Sequence, residues 1–491
     1  MHPIVFVHGY SAESHKRSSA AIRRIYAGFP EALAERLDRP VHLLNLSRWI
    51  SLDDGIRLDD VSRAFDRALY SDEFSELLRS GFDAVIHSTG ALVLRNWLRR
   101  FSPAPSPLQN LVHLAGANFG SGWAHIGRAQ VMKWGRYVFN HGADRGLRIL
   151  NALELGGSET LDLHLDLMRR NVLEHWGVRE FCIIGSQPSQ KWFMAPIRYA
   201  KEDGSDGVVR VSGGNLNFHY VRLEPTEAAL RMSFRDVEKE VERNLDRRRT
   251  RGYLYRLAEE SHPGSGNRPA IPFTIPFQCA HGGDEMGILV DSACRQEVVE
   301  HTAQALETTA DTFENCVARF RDRIAATYRT VAEEQTPGLL EWVDPRRQYD
   351  PHAQVTIRLR DQDGRPVPQF DVFFAPTGSQ RSRQPRPEDT RGLGSLVEHT
   401  HVNGNTITFY LRLETFDPDA GEWTSRLPRV GDCELEITAT DPETDRILYL
   451  PLRLEMPNET LQTWLRPHET TIVDVTILRI PAEETVVLRR L

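Results

Sequence analysis

The chain has 491 residues, 40% of them hydrophobic and 26% charged, which is enough for roughly two or three separately cored domains and excludes disorder throughout. A net charge of −8 and a pI near 6.2 argue against nucleic acid or an anionic membrane as the main partner. The 5 cysteines are scattered and contain no C-x-x-C, so neither a disulfide framework nor a zinc site is indicated, and a reducing compartment fits.

Residues 4–7 form a β-branched and aromatic run, the pattern of a strand buried on both faces, and it stops at His8-Gly9-Tyr10. The run is too short for a signal peptide and lacks its basic flank. No stretch approaches the ~20 apolar residues of a spanning helix. The expected location is therefore cytoplasmic, with export by a signal-independent route left open. Glycine after the strand lets the backbone turn and aim an amide, that of Tyr10, into the space above the sheet edge. A helix over 18–37 and a strand over 41–46 follow, then a helix capped by Asp59 or Asp60 and running to about 79.

The most informative stretch is 82–95. Ala84, Val85 and Ile86 read as strand, His87-Ser88-Thr89-Gly90 as a sharp turn, and Leu92, Val93, Asn96, Trp97 and Leu98 fall at helical spacing. Strand, turn and helix in that order place Ser88 at the tip, with a helix N-terminus pointing at its oxygen. The next strand, 110–114, ends in small residues, Ala115-Gly116-Ala117-Asn118-Phe119-Gly120-Ser121, that permit close approach to the same edge. Residues 122–176 turn helical with aromatics, including Trp123, Trp134, Tyr137 and Phe139. They suit either a cap lining a pocket or plain packing. A strand over 180–184 leads to Gly185, a long loop and Asp203-Gly204-Ser205-Asp206-Gly207-Val208-Val209.

Residues 221–270 are charge-dense and read as a helical, solvated cover. An extended segment, 273–280, delivers His281 into Gly282-Gly283. A long helix over 291–335 carries Phe313, Val317, Phe320, Ile324, Tyr328 and Val331 on one stripe. From about Tyr349 onward, short alternating runs separated by turn residues predict an antiparallel β-sandwich. The expected organisation is thus a mostly parallel α/β domain over 1–345 and a β-sandwich over 346–491.

The residues 1 to about 300 resemble the lipase/esterase branch of the α/β-hydrolase superfamily. The likeness rests on Val7-His8-Gly9 after the first strand, His87-Ser88-Thr89-Gly90 at the elbow, the loop 114–121 and Asp206-Gly207-Val208-Val209. It implies a carboxylic ester hydrolase, lipase- or phospholipase-like, with Ser88 as nucleophile, His281 as base, Asp206 as orienting acid, and the amides of Tyr10 and Thr89 as oxyanion hole. Asp203 competes with Asp206, and the Gly-Val-Val run favours the latter. His219 and His262 compete with His281, whose following glycines favour it. The sequence departs from the family at Ile86, where a glycine normally stands two residues before the serine. Neither metal nor cofactor is implied, and the expected partner is a lipid or small ester with peripheral membrane contact allowed. An inactive binding protein and an acyltransferase are the alternatives, and a protein partner of the sandwich is left unknown.

Overall fold

The computed structural model describes residues 2–8, 26–50, 56–121, 155–187, 202–245, 254–282, 287–334, 344–376 and 392–482. By packing they divide into two units. One comprises 1–217, 263–350 and 416–423, the other 218–262, 351–415 and 424–491.

The first unit is built on six parallel strands: β1 (Ile4–His8), β2 (Val41–Asn45), β3 (Phe82–His87), β4 (Leu108–Leu114), β5 (Arg179–Ile183) and, last in sequence, β8 (Phe273–Thr274). Their spatial order is β2-β1-β3-β4-β5-β8. Alternation along β1 and β3 feeds two apolar layers. Ile4, Phe6 and Val85 pack with helices α1 (Phe29–Leu37), α5 (Arg295–Leu306) and α6 (Phe313–Glu334), whereas Val5, Val7, Ala84 and Ile86 pack with α2 (Leu58–Leu69) and α3 (Gly90–Arg100). Both faces are covered, so every loop free to build a site lies at a sheet edge.

The helical expectation over 122–176 is testable only from residue 155 onward, because 122–154 with their aromatics lie outside the described residues. Helix α4 (Ser158–Arg170) follows, and its Leu163 and Leu167 belong to the apolar layer beside α3. The single helix expected over 291–335 is two helices separated by a 3-10 turn, Ala310–Thr312. Threonine hydroxyls compete for the backbone there: Thr308 Oγ1 donates to Gln304 C=O at 2.7 Å, and Thr309 N–H donates to Thr312 Oγ1 at 2.9 Å.

The second unit is a β-sandwich. Its larger sheet has the order β11-β12-β9-β18-β6-β7, with β6 (Phe218–Pro225), β7 (Tyr255–Ser261), β9 (His352–Asp361), β11 (Val397–Asn403), β12 (Thr406–Arg412) and β18 (Thr470–Ile477). The smaller has β10 (Phe370–Pro376), β15 (Cys433–Ala439) and β17 (Leu452–Met456). A further pair is β16 (Ile447–Tyr449) with β19 (Arg479–Pro481), and the hairpin of β13 (Glu414–Asp417) with β14 (Glu422–Ser425) has its residues 416–423 in the first unit. Ile357 and Val473 of the larger sheet share one core with Leu435, Ile437 and Leu452 of the smaller. The pairing is antiparallel except at β18, which runs parallel to both β6 and β9.

The reading of 221–270 as a helical cover is corrected here. Residues 218–225 and 255–261 are strands of the sandwich, flanking the helix Phe234–Leu245. Some of the charges of that stretch are cross-strand partners: Arg222 stands opposite Glu259 and Glu224 opposite Arg256, with ion pairs of 3.3 Å in both cases, while the basic run Arg247-Arg248-Arg249-Thr250-Arg251 lies outside the described residues. Alternation survives beneath them, since Val221 and Leu223 are buried in the sandwich core.

Candidate active site

Four chain segments reach the C-terminal edge of the parallel sheet. The first is the turn after β3, where Ser88 adopts φ 54°, a left-handed conformation uncommon for a residue with a side chain. Its amide donates to Leu114 C=O at 3.1 Å and its carbonyl accepts from Ala117 N–H at 3.1 Å. The small-residue loop after β4 therefore holds the strained serine from both sides. Thr89 is the N-cap of α3, so its amide stands at a helix N-terminus beside Ser88. Ile86 does not prevent the turn: it is fully buried with Ala91, Leu92 and Leu94 of α3 in one apolar cluster.

The second segment carries Asp206. Val208 and Val209 N–H donate to its Oδ1 at 2.9 and 2.8 Å, which leaves Oδ2 for an outside partner. Gly207 sits at φ 93° in this turn, which is why the aspartate is followed by glycine. The third segment ends at His281. Its amide donates to Asp206 C=O at 3.0 Å, its Nδ1 lies 2.8 Å from Asp206 Oδ2, and its Nε2 lies 3.1 Å from Ser88 Oγ. Asp206 accepts at Nδ1, so the Nε2 lone pair faces the serine hydroxyl. Ser88, Asp206 and His281 are all buried.

The fourth segment leaves β5 at Gly185. A Cβ there would lie 1.7 Å from Cys279 C=O, so only glycine lets the strand exit pass against the segment that carries His281.

Of the rival residues, Asp203 pairs with Arg347 at 2.8 Å and does not reach His281. His219 lies on β6 and His262 just after β7, both in the other unit. Tyr10 lies outside the described residues.

Sequence reasoning missed several supporting groups. Tyr26, fully buried, donates its hydroxyl to Val7 C=O at 2.9 Å and so braces the end of β1, the strand that pairs with β3. The His87 ring lies 4.8 Å from that of His281. Behind the elbow, Glu180 of β5 is fully buried within 3.5 Å of Arg95 of α3 and 3.3 Å of His113 of β4. Burial alone would raise the Glu180 carboxyl, but Arg95 and His113 bring it below its ordinary range, while burial lowers His113. Charged residues inside strands and helices give no local signal that they will meet.

Among known proteins, the fold is that of phospholipase PlaB from Legionella pneumophila. The match covers 100% of this chain and 96% of PlaB at a TM-score of 0.74 and 20% identity. PlaB in complex with thio-NAD gives 0.73 at the same identity and coverage. This is an α/β-hydrolase fold. At that identity the likeness establishes architecture, and the sandwich is part of it because the match spans the whole chain. The mature lipase BlEst2 of Bacillus licheniformis covers 43% of this chain and 78% of its own, with a TM-score of 0.29 and 14% identity. No family model and no curated protein matches the sequence. No described helix is long and apolar enough to cross a membrane.

Proposed function

We infer that this chain is a serine hydrolase of carboxylic esters, acting on lipid or phospholipid through an acyl-enzyme on Ser88. One observation carries the reading: a serine in left-handed strain at a strand–helix turn has its Oγ 3.1 Å from an imidazole nitrogen whose other nitrogen is held by a buried carboxylate. That the structural neighbour is a phospholipase supports a phospholipid substrate.

In this reading His281 Nε2 takes the Ser88 proton as Oγ attacks the ester carbonyl, and Asp206 orients the ring and stabilises the imidazolium. The tetrahedral oxyanion accepts from the Thr89 amide and, by the family resemblance, from that of Tyr10. Each such donor is worth about 3 kcal/mol in the transition state. Collapse expels the alcohol, protonated by His281, and water activated by the same nitrogen releases the acid. The buried polar cluster around Glu180 touches none of these atoms and braces the strands that carry the loops.

The test compares wild type with Ser88→Ala on a p-nitrophenyl ester and on phospholipid vesicles, alongside fluorophosphonate labelling. Loss of about 10⁶ in kcat and of labelling is expected. Equal rates would overturn the reading, and transfer of the acyl group to an added alcohol in place of hydrolysis would make the chain an acyltransferase.

A further inference from the structure

A short 3-10 helix, Pro345–Tyr349, lies in the first unit, and its last residues bond to the acid loop, to the exit of β5 and to the segment that leads to His281. Gln348 C=O accepts from Gly204 N–H at 2.9 Å, on the loop that carries Asp206, and from Ser186 Oγ at 3.0 Å, just beyond β5. Arg347 binds Asp203 on the same acid loop. Tyr349 does more, because its single hydroxyl both donates and accepts. It donates to Gln187 Oε1 at 3.0 Å and accepts from the amide of Gln278 at 3.0 Å.

Gln278 is held at φ 48°, left-handed like Ser88 and Ala115, three positions before His281. A side-chain-bearing residue in that region costs on the order of 1 kcal/mol or more and persists only where its surroundings fix it. Here the Gln278 amide donates to the Tyr349 hydroxyl. Gln187 completes the frame, since its own amide donates to Cys279 C=O at 3.2 Å. Tyr349 is fully buried, its ring edge-on to Tyr328 at 6.3 Å, and Tyr328 donates its hydroxyl to Tyr349 C=O at 2.8 Å. Burial pushes the phenol upward, so the group remains a neutral donor and acceptor across the working pH range.

We propose that Tyr349 is a positioning residue for ester hydrolysis: its hydroxyl locks Gln278 in the left-handed conformation and so sets the approach of His281 to Ser88 and Asp206. The inference rests on the reading of Ser88, His281 and Asp206 as the catalytic groups. Without the hydroxyl, the Gln278 amide loses its partner and its backbone can relax toward negative φ, carrying Cys279, Ala280 and His281 with it. A displacement of about 1 Å at a reacting group costs up to about 100-fold in rate.

Tyr349→Phe removes one oxygen and keeps the ring. The expected result is a kcat on soluble ester about 10- to 100-fold lower with KM within about twofold, and a melting temperature within a few degrees of wild type. The double variant Tyr349→Phe/Gln278→Gly should recover most of that kcat, because glycine adopts the left-handed conformation without outside help. A merely structural tyrosine would lower the melting temperature without altering kcat, and glycine would not rescue it. Wild-type kcat in Tyr349→Phe, or no recovery in the double variant, overturns the proposal. If Tyr349→Phe does not fold, Gln278→Pro probes the same link from its other end, because proline has no amide hydrogen to give the hydroxyl and holds φ negative, and an unchanged kcat there overturns the proposal equally. Fluorophosphonate labelling of wild type separates the two inferences: absence of labelling removes the hydrolase reading itself, whereas labelling with an indifferent Tyr349→Phe removes only the role of Tyr349.

Discussion

Each unit contains a buried histidine beside a carboxylate, and the two differ in what faces the remaining ring nitrogen. In the first unit His281 has Asp206 at Nδ1 and the Ser88 hydroxyl at Nε2. In the sandwich His219 has Glu260 Oε1 at Nε2, 3.0 Å away, and Thr463 C=O at Nδ1, 3.2 Å away. Both nitrogens of His219 thus face oxygen acceptors, and Trp464 Nε1 binds the same Glu260 oxygen at 3.2 Å. A general base needs a lone pair aimed at the proton it will take. His281 has one aimed at a hydroxyl, whereas the ring of His219, whose charged form burial disfavours, donates from one nitrogen to β7 or to the helix Asn458–Trp464 and turns its other nitrogen toward an oxygen that offers it no proton. A histidine–carboxylate pair is therefore uninformative until its third partner is known.

The sharpest way to break this comparison is to neutralise each carboxylate. Asp206→Asn should lower kcat by about 10⁴, because the amide no longer favours the tautomer that leaves Nε2 free, while KM changes little. Steady-state kinetics on a soluble ester would check it. A loss below tenfold would place Asp206 among structural partners such as Glu260.

These contrasts also mark what the sequence could reveal. The strand–turn–helix around Ser88 was legible because its period changes from strand-like to helical within a few residues, and Asp206 was legible through the glycine its turn demands. The glycines after His281 favoured it over His219 and His262, but the reason the rivals fall away, that β6 and β7 join the sheet of the sandwich, had no local signal. Residues 218–262 hid that membership: Arg222, Glu224, Arg256 and Glu259 make a charge-dense string that becomes orderly only when paired across β6 and β7. Tyr349 was invisible for another reason. It was read as the opening of the sandwich, and nothing local distinguishes a tyrosine that starts a strand from one that braces a loop far away in sequence.

A second contrast concerns protons. The sandwich buries His468, whose amide donates to His352 C=O at 2.8 Å, and burial, reinforced by nearby His352, lowers its pKa to about 3. In the unfolded chain the same group titrates near ~6.5. The unfolded state therefore binds more protons between those values, so the stability that His468 contributes is fully present above ~6.5 and is lost progressively as pH falls toward 3. Between pH 7 and 4.5 this one group would remove up to about 3 kcal/mol. Urea unfolding followed across that range should show midpoints that fall with acid in wild type and fall less steeply in His468→Gln. Parallel slopes would refute the assignment.

The smallest effect is expected at His219, and it is the one that isolates the principle. His219→Gln keeps a side chain able to donate to Thr463 C=O and loses the ring that reaches Glu260, leaving that exposed carboxylate with Trp464 as its remaining described side-chain partner. Water can replace the lost partner of an exposed carboxylate, so the change costs about 1 kcal/mol or less, which for a chain of this size lowers the melting temperature by a few degrees at most. The kcat and KM on ester should stay within about twofold of wild type, because no atom of His219 lies on the path of a proton from Ser88. A large fall in kcat with an unshifted melting temperature would mean that the sandwich histidine takes part in turnover, and the distinction drawn from the third partner would fail.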